Sequence, residues 1–274
     1  MLFHLNSNPD DIIRRSLKRL IFYLLGDSAY EYFLFKAKLA DIKKDAYEEK
    51  LEMGFLKFYL QETDEVVDIG SNFGQYVYHL SKIVKNGSVY AFEPILATFK
   101  ILEKIIKHLK LDNVYLHNLG CSDNEQFVTF IEPLQRFGAR DPGLAYMKQG
   151  FHEFNEGKYK TSICKIVILD NLLTNLKNLT FIKCDIEGAE FLALKGAEKS
   201  INQFRPLILC EISPEHFERF EYTLNEFEQY IRKLNYTFGA VQNSEGSRLK
   251  FVPSITSFSG NCFFVPNEKL EQFF

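Results

Sequence analysis

The chain has 274 residues, 46% hydrophobic and 25% charged, with a formal net charge of −3. That length builds one large α/β domain or two small ones, and the charge balance gives no general pull toward nucleic acid. The five cysteines are odd in number and form no C-x-x-C pair, which argues against a zinc site or a disulfide framework and for a reduced, cytoplasmic protein.

The first element expected is a helix over "NSNPDDIIRRSLKRLIFYLLGD". Asn8 caps it, Pro9 suits its first turn, Asp10 and Asp11 favour its positive end, and Gly26 ends it. Its apolar stripe either lies on the protein's own core or meets a membrane surface, a partner or a second copy. No secretory signal is visible, and "LIFYLL" (20–25) is too short to span a bilayer. More helix is expected from about 28 to 60, so residues 1–60 read as a helical N-terminal extension and 61–274 as the main domain.

From residue 65, short apolar runs alternate with helices. The strands expected are "EVVDIG", "SVYAFEP", "NVYLHNLG", "FVTFIE", "SICKIVIL", "LTFIKCD", "PLILCEI", "NYTFGAV" and "GNCFFVP". The order predicts a Rossmann-like α/β fold, a mainly parallel sheet with helices on both faces. Residues 133–160 hold glycine, proline and mixed charge without a period, and read as an insertion that forms a lid over a substrate pocket.

In such sheets, ligands bind beyond the carboxyl ends of the strands. The first strand end, "DIGSNFG", carries Asp68, Gly70, Ser71, Asn72 and Gly74. The second carries Glu93 and Pro94, the third Ser122 and Asp123, the fourth "KCDIEGAE", and the fifth Glu211. The glycine loop lacks G-x-G-x-x-G, and an aspartate at its mouth disfavours a pyrophosphate. It suits S-adenosylmethionine, whose carboxylate would meet the helix start near Asn72 to Gly74 and whose positive end would lie near Asp68. Glu93, 25 residues after Asp68, is placed for the ribose hydroxyls, with Ser122 and Asp123 beside the adenine.

The ordered set "VVDIGSNFG … GSVYAFEP … NVYLHNLGCSD … ILDNLL … FIKCDIEGAEFLALKGAEKSI … RPLILCEI" resembles the FkbM-type methyltransferases, a branch of the class I S-adenosylmethionine-dependent fold. It covers roughly residues 55 to 215, and "IKCDIEGAE" is its most specific piece. The resemblance implies seven strands with the last antiparallel, and O-methylation of sugars or other natural products. Ser71 and Phe73 depart from it, standing where alanine and isoleucine are common.

Methyl transfer to a hydroxyl needs an in-line oxygen and a base for its proton. Asp185, at the strand tip, and Glu187 are read as base and acceptor-orienting group, with Asp185 also near the cofactor. Lys183 holds a carboxylate in register or meets a substrate phosphate, and Glu211 joins the pair. Glu190 is read as a favourable charge at a helix start. His216 and His152 become bases only if the fold turns them inward. A magnesium ion on Asp185, Glu187 and Glu211 is the alternative route to the same chemistry. A non-catalytic cofactor-binding subunit is the alternative to an enzyme. The acceptor expected is a sugar or glycan precursor or another small natural product, with no nucleic acid.

Overall fold

A computed structural model describes residues 26, 28–44, 50–134, 145–148, 158–241 and 248–274. The expected helix before residue 26, most of the 133–160 segment read as a lid, and His152 lie outside them. The helices are α1 (28–43), α2 (Lys50–Tyr59), α3 (Gln75–Ile83), α4 (Leu96–Leu109), α5 (Leu169–Leu172), α6 (Glu190–Lys195), α7 (Glu198–Phe204), α8 (Pro214–Phe217) and α9 (Leu224–Lys233). The strands are β1 (Glu65–Ile69), β2 (Ser88–Phe92), β3 (Val114–His117), β4 (Gly120–Cys121), β5 (Gln126–Pro133) and β6 (Tyr146–Met147). They continue with β7 (Tyr159–Val167), β8 (Leu179–Cys184), β9 (Leu207–Ile212), β10 (Tyr236–Val241), β11 (Leu249–Val252) and β12 (Gly260–Pro266).

The main sheet runs β11-β10-β12-β9-β8-β1-β2-β3. Strands β3, β2, β1, β8 and β9 pair in parallel, while β12 is antiparallel to both β9 and β10. This is the expected α/β sheet with "GNCFFVP" antiparallel, plus β11 as an added antiparallel edge strand. Central strands bury both faces, so β1 and β8 read as near-continuous apolar runs. Val67, Ile69 and Ile182 enter one core layer, and Val66 and Phe181 the other.

Three expected strands take a different place. "NVYLHNLG" splits: β3 ends at His117, and Gly120–Cys121 pair with β7 in a second sheet, ordered β4-β7-β5-β6. Within it β5 and β7 form a long antiparallel pair. The reason is the alternation along β7, where Cys164 and Ile166 are buried while Ile163 and Lys165 are exposed. Such a strand solvates one face and cannot sit inside a doubly covered sheet.

Before residue 61, the two described helices pack into the domain. Met53, Phe55 and Leu56 of α2 are fully buried, and the Phe55 and Phe263 rings lie 4.9 Å apart. α1 lies on α4 through Tyr30, Leu34, Phe35, Leu39 and Ile42. All five cysteines are free and buried. Three of them form a row across the sheet, with Cys184 beside Cys210 and Cys210 beside Cys262.

Candidate active site

The strand β1 stops where Gly70 takes φ +81° and rolls the chain onto β2. Its N–H and that of Ser71 both donate to the Phe92 carbonyl at 3.0 Å. A Cβ at Gly70 would stand 2.1 Å from the Asp185 carbonyl oxygen, so the glycine loop lies directly on the loop after β8. Gly74, at φ +85°, turns the chain into α3. Ser71 donates its hydroxyl to the Asp68 carbonyl at 2.9 Å, and Phe73 packs against α1.

Glu93 braces this loop. Its carboxylate accepts from the Asn72 N–H at 3.0 Å and the Ile95 N–H at 2.9 Å. Burial pushes its carboxyl up to about 7 against the pull of these two donors. It also lines the middle of the clefts described below.

Asp68 pairs in register with Lys183 across β1 and β8. The Lys183 ammonium lies 3.7 Å from Asp68 Oδ1, 3.1 Å from Asp185 Oδ2 and 4.9 Å from the centre of the Tyr76 ring. Asp68 is fully buried, and that burial raises its carboxyl pKa despite the neighbouring cation. It does not line the clefts described below. Lys183, beside it on the neighbouring strand, is its counter-charge.

The loop after β8 is bent by two left-handed residues, Glu187 at φ +59° and Gly188 at φ +105°. A Cβ at Gly188 would meet the His216 carbonyl oxygen at 2.5 Å. Glu190 closes this loop from below: its Oε1 accepts from the Ile186 N–H at 2.8 Å and the Gly188 N–H at 3.4 Å. Glu190 is 1% exposed, and burial pushes its carboxyl up to about 8. Glu190 does open α6, as expected of a favourable charge at a helix start, and its burial adds a second role. It is a buried clamp, because two inward-pointing amides of a left-handed turn need an acceptor. Tyr222 donates to the Gly188 carbonyl and holds the other side.

Glu211, at the end of β9, is half-buried in the same cleft. Burial first, then the negative Asp185 and Glu187 and a hydrogen bond with Asp185, push its carboxyl up to about 7. Glu187 is raised in the same direction by burial, opposed by His216. His216 Nε2 lies 3.2 Å from Glu187 Oε2, and Arg219 Nη1 lies 3.7 Å from it. The Arg219 guanidinium in turn covers the Tyr146 ring at 4.5 Å. Among the described residues, no group of three histidines, cysteines or acids is placed to hold a metal ion, Asp185, Glu187 and Glu211 included.

Three adjoining clefts meet at Gly70. The inner one, about 340 Å³, is apolar and lined by Phe92, Pro94, Leu119, Cys121, Met147 and Ile166 among others. The middle one, about 700 Å³, holds Glu93, Asp185, Glu187 and Glu211. The outer one, about 710 Å³, holds Asn72, Gln75, Tyr76, Lys183 and Asp185, and is closed by Lys38 and Asp41 of α1. Ser122 and Asp123 do not line them: Ser122 is buried against Gly196, where a Cβ would meet its carbonyl at 2.0 Å, and Asp123 is exposed. Sequence reasoning missed the apolar slot, Arg219, Tyr146 and the α1 residues. Their only signals were scattered over distant segments.

The model of the methyltransferase FkbM domain matches residues 68–238. Methyltransferase 1 of Beauveria bassiana (strain ARSEF 2860) is 23% identical over 149 residues, 48% of this chain and 58% of that protein. The crystal structure of methyltransferase FkbM from Methylobacillus flagellatus KT superposes with a TM-score of 0.51 at 18% identity, covering 93% of this chain and 60% of that one. The chain thus spans less than two thirds of the length of either relative. The structural likeness shows the fold, and the matched domain contains the cleft residues described above except those of α1. The chain belongs to the FkbM methyltransferase family.

Proposed function

We propose that this protein is an O-methyltransferase acting in the cytoplasm on a hydroxyl of a sugar or glycan precursor or another small natural product. The observation that supports it most is the group of carboxylates in the middle cleft, with Glu211 pushed up to about 7. A base tuned near neutrality combines the correct protonation state with the ability to accept a proton.

The residues present fit S-adenosyl-L-methionine as the cofactor. The apolar slot suits a flat heteroaromatic base, Glu93 suits ribose hydroxyls, and the polar outer cleft suits an amino-acid end. Bound there, the cofactor supplies an electrophilic methyl on a sulfonium. The chain's own residues handle the acceptor. Glu211 takes the hydroxyl proton onto its carboxylate oxygen as the acceptor oxygen becomes a nucleophile. Asp185, held by Lys183, accepts a hydrogen bond from Glu211 once that carboxyl carries the proton. Glu187, anchored by His216 and Arg219, accepts from a second acceptor hydroxyl and orients the molecule. Sequence reasoning placed the base at Asp185 or Glu187; the Lys183 contact on Asp185 favours Glu211.

The test is incubation with the methyl donor and a panel of sugar nucleotides and hydroxylated natural products, followed by mass spectrometry and mapping of the methyl. Methyl ether formation on a hydroxyl is the expected result. Methyl found on nitrogen or carbon, or donor binding with no transfer across the panel, would overturn the proposal.

A further inference from the structure

The matched domain begins at residue 68, yet the outer cleft is completed by Lys38, Asp41 and Ile42 of α1. α1 is fixed there by packing. Leu34, Phe35, Leu39 and Ile42 are buried against Ile101 and Ile105 of α4, with Phe73 alongside. The Lys38 ammonium lies 4.7 Å from the centre of the Phe73 ring, which holds it at the cleft wall. Asp41 stands three residues on, so the two opposite charges are neighbours on one helix surface. Gly70, Ser71, Asn72 and Gln75 line the same cleft.

We infer that α1 clasps the amino-acid end of the methyl donor, with Lys38 receiving its carboxylate and Asp41 its ammonium. The inference rests on the cofactor reading and extends it to residues outside the matched domain. Two features point to a zwitterion. The wall offers one cation and one anion side by side, which suits a ligand carrying both charges on a single carbon. The outer cleft also shares Gly70, Asn72 and Asp185 with the middle cleft, where Glu93 stands. A donor with its base in the apolar slot and its ribose at Glu93 therefore extends its amino-acid end outward, under α1.

Calorimetric titration of the full chain and of its Lys38→Met and Asp41→Asn variants tests this with two ligands. S-adenosylhomocysteine has the amino-acid end; methylthioadenosine has the adenosine and thioether alone. Each variant is expected to weaken S-adenosylhomocysteine about tenfold or more, as loss of a charged hydrogen bond does, while methylthioadenosine binds as in the parent. The methylthioadenosine arm also reports that the variants are folded. Unchanged S-adenosylhomocysteine affinity in either variant overturns the clasp and leaves α1 as a wall for the acceptor. Equal loss for both ligands overturns it as well, since the effect is then general damage. A parent protein that binds neither ligand sinks the cofactor reading, and the clasp with it.

Discussion

Glu211 has to be a carboxylate to accept a proton and sits where a carboxylate is costly. Burial and two like charges push its carboxyl up to about 7, so it is largely protonated at pH 5 and ionised at pH 9. The rate of methyl transfer is therefore expected to rise through about pH 7 in a kcat/KM profile, with a single ascending limb. Glu211→Gln removes the base and leaves the cofactor clefts intact. It is expected to lower kcat by about 10²- to 10⁴-fold while S-adenosylhomocysteine binding stays within about twofold. Retained turnover in this variant would move the base to Glu187. Lys183 lies between Asp68 and Asp185, so Lys183→Met leaves two crowded carboxylates without their cation. A loss of about 3 kcal/mol or more in urea unfolding is expected. At this scale the sequence was legible for residue type but not for partnership. Lys183, Asp185 and Glu187 stand out as charges on an apolar strand end. That Asp68 faces Lys183 depends on the pairing of β1 with β8, which only the folded sheet decides.

Two loops carry the site, and each depends on a glycine with positive φ. Gly70→Ala would force a Cβ to within 2.1 Å of the Asp185 carbonyl and hold alanine in a left-handed conformation, itself costing about 1–2 kcal/mol. The loop after β8 must then move, so the variant is expected to lose both cofactor affinity and several degrees of Tm. A variant with parental affinity would show that the two loops are not in contact. "DIGSNFG" and "KCDIEGAE" were readable because their glycines and acids mark strand ends locally. The clamp by Glu190 was not readable. Its sequence position at a helix start fits a dipole charge equally well, and only burial separates the two roles. The second sheet was hidden for a related reason: β5 and β7 have ordinary strand composition, and sheet membership depends on which face is covered. The apolar slot draws on β4, β5, β6 and β7, so it followed the same fate.

Across the whole molecule, burial raises several acids at once. Glu93 is pushed up to about 7 and Glu190 up to about 8, both above the ordinary 4.5. A carboxyl with a raised folded pKa favours the fold while it is neutral. That contribution is complete below about pH 4.5 and is lost as pH rises through 7 to 8. The acids with lowered values, such as Glu228 and Glu268, stabilise above about pH 4.5 and lose that contribution only as pH falls below it, so they do not alter the trend from pH 5 to pH 9. The ligand-free protein is thus expected to show a higher urea midpoint near pH 5 than near pH 9. Glu190→Gln should gain about 1–3 kcal/mol at pH 9 relative to the parent and little at pH 5. Midpoints that rise with pH over this range would contradict the assignment. The mainly parallel sheet covered by helices followed from the chain's alternation of strand and helix, and the antiparallel last strand from the family resemblance. The placement of α1 on α4 did not, since the sequence marked residues 28 to 60 only as helical. The cysteine row has its own bearing on chemistry with an alkylating cofactor. Cys121 lines the apolar slot, and Cys184 and Cys210 sit one residue below Asp185 and Glu211. A thiolate there would be a better nucleophile than any sugar hydroxyl and would consume the donor. Burial pushes all three thiols up, so they remain protonated, and the enzyme is protected from methylating itself.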